Sequence, residues 1–149
     1  MSGRGWRALL LFGLCAVLAP AQTRRGDDWR ISPRVLREEV RSVVTVQLAA
    51  LRVRDYETAY LQTSRELMRR FSPEQFVAML RRGYPALFQH TQADLGFVRD
   101  REEVESCLTV EVTGPGGRRA GYRFYLVHQK DGWKIDGIVP DRAPGRGDI

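Results

Sequence analysis

The chain has 149 residues, a formal net charge of +6 and 43% hydrophobic residues, which is enough apolar material for one domain with its own core. That balance excludes an acidic disordered chain. The basic excess is almost all arginine, with Lys130 and Lys134 the only lysines. It alternates with acids, as in Arg37-Glu38-Glu39-Val40-Arg41, and no arginine stripe interleaves with aromatics, which argues against a nucleic-acid partner.

The N-terminus carries Arg4 and Arg7, then the apolar run Ala8 to Ala19, then Ala19-Pro20-Ala21 as a small-x-small cleavage pattern. Twelve apolar residues make a helix of roughly 18 Å, too short for a hydrocarbon core of about 30 Å. Residues 1–21 therefore read as a cleaved signal peptide, with a linker at 22–31. The domain is expected at 32–139 and a disordered Pro/Gly-rich tail at 140–149. The expected location is exported, periplasmic or extracellular, with no stable membrane anchor after cleavage. Arg146-Gly147-Asp148 matches a cell-adhesion tripeptide, but three such common residues arise by chance. Of the two cysteines only Cys107 lies outside the signal segment, so no intramolecular disulfide is available.

Ser32-Pro33 predicts a helix start, and Leu36, Val40, Val43, Val44, Leu48 and Leu51 recur at helical spacing to about Arg54. Gln47 sits at the edge of that stripe and needs a hydrogen-bond partner if buried. Asp55 is placed to cap a short helix over Tyr56 to Leu61. Thr63-Ser64-Arg65-Glu66 reads as a capping box with Thr63 as the cap, and Ser72-Pro73-Glu74-Gln75 repeats the device. Gly83 and Pro85 read as a left-handed stop and its enforcement, and Pro85 to Gln89 forms a last turn.

After Gln92 the period changes to two. Leu95 and Phe97 alternate in a first strand, and Leu108, Val110 and Val112 in a second. Thr113 to Gly117 is a turn cluster. Tyr122, Phe124 and Leu126 precede an Asp131-Gly132 turn, which pairs Lys130 with Trp133, His128 with Ile135 and Phe124 with Val139. Tyr122, Phe124, Leu126, His128, Trp133, Ile135 and Val139 then share the face toward the helices. Cys107 falls outside, beside Tyr125. Gly137 within a strand signals a bulge.

Helices followed by an antiparallel meander make an α+β domain with helices on one face of the sheet. Val43 to Tyr60 (VVTVQLAALRVRDYETAY), Phe71 to Pro85 (FSPEQFVAMLRRGYP) and Tyr122 to Ile138 (YRFYLVHQKDGWKIDGI) resemble the nuclear transport factor 2-like (cystatin-like) superfamily, and within it a bacterial family of undefined function. The resemblance implies a curved, cone-shaped sheet with the N-terminal helices on its concave face and a pocket between them. It also implies a homodimer built on the outer sheet face. Its enzymes carry an Asp–His or Asp–Tyr set that has no residue-by-residue counterpart here, so no catalytic residue is assigned.

The histidines are His90 and His128. No paired histidines or cysteines at ligand spacing suggest a metal, and no Gly-rich loop between a strand and a helix suggests a nucleotide. No cofactor is expected. Candidate pocket residues are His128, His90, Gln47, Tyr56, Tyr60, Tyr84 and Trp133. The leading expectation is non-catalytic binding of a small apolar ligand or a protein partner. The alternative is a small isomerase, dehydratase or cyclase with His128 or His90 as general base. For His128 a hydrogen-bonded place at the core edge is the simpler reading, and for the tyrosines and Trp133 it is core packing.

Overall fold

The computed structural model describes residues 28–141. The expected signal segment and residues 142–149 of the expected tail lie outside the described residues. The chain runs β1 (Arg30–Ile31), α1 (Arg34–Arg52), α2 (Tyr56–Leu61), α3 (Arg65–Arg70), α4 (Pro73–Gly83), α5 (Ala86–Gln89), β2 (Gln92–Arg101), β3 (Glu105–Thr113), β4 (Arg119–Gln129) and β5 (Gly132–Pro140). The α+β arrangement read from the sequence holds. No helix among the described residues is long and apolar enough to cross a membrane.

The five strands form one antiparallel sheet in the order β1-β2-β3-β4-β5. The sheet is open and not strongly curled, and β1 and β5 do not meet. This overturns the expected cone. The space that a cone would leave as a pocket is occupied by α1, whose Val40, Val44, Leu48 and Leu51 are buried in one core cluster with Leu108, Val110, Val112, Phe124 and Leu126. Each fully buried side chain of this kind contributes about 1.5–3 kcal/mol, so an empty cone would forfeit the main source of stability. The resemblance to the nuclear transport factor 2-like superfamily falls with the cone.

Local signals place most helix boundaries. The Asp55 carboxylate accepts from the Thr58 N–H at 3.1 Å and starts α2. Ser72 and Gln75 form the expected capping box of α4, with Pro73 in its first turn. The cap of α3 is Ser64, not Thr63. Thr63 is drawn away because it pairs with Ile135 in a parallel bridge and donates its hydroxyl to the Tyr60 carbonyl. The bridge covers part of the outer edge of β5. Ser32 makes no cap. Pro33 holds the N-cap position, and α4 ends without a left-handed residue at Gly83.

The β3–β4 register is the expected one: Leu108 faces Phe124, Val110 faces Tyr122 and Cys107 faces Tyr125. The β4–β5 register differs by two residues. His128 faces Trp133 and Leu126 faces Ile135. An Asp131-Gly132 turn of type I′ needs positive φ at both central residues. Asp131 is not among the residues with positive φ, whereas Gly132 has φ 102°. The tip is therefore Lys130-Asp131, with Gly132 as the left-handed residue after it. A shift of two keeps the faces, so Trp133 and Ile135 still point inward.

Two bulges change the faces farther along. One between Tyr125 and Leu126, opposite Asp136, turns Ile138 toward the core and leaves Val139 exposed, reversing their expected roles. The other, between Leu95 and Val98, keeps Leu95 inward but turns Phe97 out, where it is 77% exposed. Strict alternation across Leu95 and Phe97 fails there.

Candidate functional site

The seven candidate pocket residues do not converge on one site: His128 and Trp133 line one cavity, and Tyr56 and Tyr60 another. Gln47 is fully buried and donates Nε2–H to the Ala59 carbonyl at 3.1 Å, which ties α1 to α2. Tyr84 donates its hydroxyl to the Ile138 carbonyl at 2.6 Å, and its ring packs against Tyr122. His90 is buried just before β2. Its Nδ1 lies 2.9 Å from the Leu87 carbonyl, which can only accept, so that nitrogen carries the proton. Burial holds the His90 pKa below the ordinary imidazole value. The Leu87 hydrogen bond acts the other way, and the nearby Arg52 charge adds to the lowering.

His128 is exposed near the opposite end of the sheet, with its ring 5.0 Å from the Trp133 ring. Gln92 pairs at the Thr113 end and Arg101 at the Glu105 end. The two histidines are therefore separated by roughly 25–30 Å of strand. Leu87 orients the His90 ring, but among the described residues no hydrogen bond links either ring to a second side chain that could act with it as an acid, base or nucleophile. Among the described residues no group of three or more His, Cys, Asp or Glu side chains is placed to hold a metal ion.

Tyr56 and Tyr60 do come together, on the outer side of the helical layer. They stand on α2 and face α4 across a groove of about 600 Å³. Leu61, Pro73, Val77 and Ala78 complete an apolar lining, while Glu57, Glu74 and Arg81 sit around it. Each wall is set by one of the capped helix starts described above. Tyr60 donates its hydroxyl to the Phe71 carbonyl at 2.8 Å and packs edge-on against Phe76. Tyr56 accepts from Arg81 Nη2 at 2.5 Å, and the guanidinium lies over the Tyr56 and Phe88 rings. Both phenol oxygens are thus engaged, and the rings are left to serve as apolar walls.

Sequence reading identified the two tyrosines but not Leu61, Pro73, Val77, Ala78 or Arg81. The signal available was the spacing of Val77 and Arg81, four residues apart and off the buried Phe76–Leu80 stripe.

A family model described as Domain of unknown function (DUF4864) matches residues 34–147. The chain belongs to that family. No curated protein and no solved structure matches it. The DUF4864 match starts at the first residue of α1 and runs past the end of β5, so it takes in both the α2–α4 groove and nearly all of the sheet.

Proposed function

We propose that this DUF4864 protein is an exported binding domain that holds a small apolar ligand in the groove between α2 and α4, without catalysing a reaction on it. The observation that carries this reading is the groove itself, whose lining is mostly apolar and whose volume of about 600 Å³ lies in the range of small-molecule sites. The export part rests on the Arg4/Arg7, Ala8–Ala19 and Ala19-Pro20-Ala21 pattern. Non-catalytic binding is favoured because the site has no histidine, and the hydroxyls of its two tyrosines are already engaged in the protein.

Titration with the neutral dye N-phenylnaphthylamine tests the groove. Ala78 is exposed on α4, so Ala78→Trp fills the groove without disturbing the core. Dye affinity is expected to fall by about tenfold or more, which corresponds to roughly 1.4 kcal/mol. Unchanged affinity in a folded Ala78→Trp chain sinks the proposal.

A further inference from the structure

The outer face of the sheet holds a second cavity, of about 350 Å³, unrelated to the helical groove. Its floor follows from strand register. Arg99, Cys107 and Tyr125 form one row across β2, β3 and β4, and Thr109 and Arg123 pair in the next row, beside Phe97. The two arginines therefore stand at opposite corners of a small centre made by Cys107 and Thr109. Both arginines line the cavity together with Cys107 and Thr109.

The walls are aromatic. Trp29 packs on Tyr125 with ring centroids 6.4 Å apart, and the Arg101 guanidinium lies 5.2 Å over the indole. Phe97 stands free on the other side, turned outward by the β2 bulge. The cations of this face are not equivalent. Arg101 pairs with Glu105, and Arg123 pairs with Asp141 at 3.0 Å. Arg99 is in no ion pair among the described residues.

We propose that this face is a ligand site for a small aromatic carboxylate. The ring would lie against Trp29, Tyr125 and Phe97, and the carboxylate would take the fork of Arg99. A guanidinium presents paired donors that match a carboxylate's two oxygens, and an aromatic floor beside it selects a planar body. The thiol plays no covalent part. Burial pushes Cys107 above the usual thiol range, with the two arginines opposing, so it stays protonated near neutral pH. The unpaired charge of Arg99 also disfavours a second copy of the chain as the occupant, since a copy of this face brings more arginine and no unpaired carboxylate from among the cavity's lining residues to meet it.

Calorimetric titration with naphthoate, and separately with neutral naphthylmethanol, tests the assignment on the full chain and on its Ala78→Trp variant; the two probes are compared on the variant, because the open helical groove can take up the neutral one. Naphthoate is expected to bind about tenfold more tightly than the alcohol and to weaken with added salt, as a charge-assisted contact requires. Arg99→Gln should weaken naphthoate by a similar factor and leave the alcohol unchanged, and Phe97→Ser should weaken both. Ala78→Trp, which blocks the helical groove, should leave naphthoate binding intact, so failure of one site is distinguishable from failure of the other.

Equal affinity for the two probes, or an Arg99→Gln variant that binds naphthoate as before, overturns the proposal. So does self-association in sedimentation that Phe97→Ser abolishes and naphthoate does not compete. That result would assign the face to a second copy instead.

Discussion

The two faces of the sheet are built from the same strands and do opposite things. On β3 and β4, Leu108, Val110, Val112, Phe124 and Leu126 point to the helices and are buried. Their immediate neighbours, Cys107, Thr109, Arg123 and Tyr125, point away and line an open cavity. The two-residue period of a strand makes this division unavoidable. One face holds the sheet in place through packing. The other is held by the first, so its side chains can serve recognition at little cost to the fold.

Two phenylalanines, one on each face, test this division most directly. Phe124→Ala empties a fully buried position in the core cluster. It should cost about 3–5 kcal/mol in urea unfolding. Phe97→Ala removes a side chain of the same size from the outer face and should change stability by no more than about 0.5 kcal/mol. Equal losses would mean that something covers the outer face, and the division between the faces would fail.

A smaller effect is expected at the bulge, where the faces exchange residues. A Cβ on Gly96 would stand 2.3 Å from the Thr109 hydroxyl oxygen and 3.3 Å from the Thr109 carbonyl. Arg41 of α1 also donates to the Gly96 carbonyl at 2.6 Å, which leaves this backbone little room to retreat. Gly96→Ala should cost about 1–3 kcal/mol by overpacking. Adding Thr109→Ala removes the clashing hydroxyl and should recover most of that loss in a double-mutant cycle. Additive losses would show that the bulge is held by something other than this contact.

The bulges also mark where sequence reasoning weakens: Gly137 signalled the β5 bulge beside it, but not the reversal of faces that follows. Leu108, Val110, Tyr122 and Phe124 fall in their expected register because a slip of one residue would bury Thr109. Leu95/Phe97 and Ile138/Val139 do not follow alternation, because one extra residue in a strand reverses the faces beyond it. Nothing in the local residue types distinguishes Ile138 from Val139. The helix caps at Asp55 and Ser72 were legible because each uses contacts within three residues. Thr63 was not, because its partner Ile135 lies on the last strand. The candidate sites follow the same rule. Tyr56 and Tyr60 are recognisable singly, but the groove is completed by α4, and the outer cavity by Trp29 from before β1.

The smallest effect concerns pH and lies on the buried side of the sheet. His90 is 5% exposed, with its Nδ1 hydrogen bonded to Leu87. Burial lowers its pKa in the folded chain. In the unfolded chain the imidazole regains a pKa of about 6.5. Between that value and the lowered folded one, the unfolded state binds the proton and the folded state does not. Stability from this group is therefore complete above about pH 6.5 and is lost as the pH falls toward the folded value. His90→Asn keeps a donor for the Leu87 carbonyl and removes the titration. Urea midpoints measured between pH 7.5 and about pH 5 should fall more steeply in the parent chain than in His90→Asn. Parallel slopes would show that the proton enters the folded protein as easily as the unfolded one, and that the helix-side layer is wetter at His90 than its packing implies.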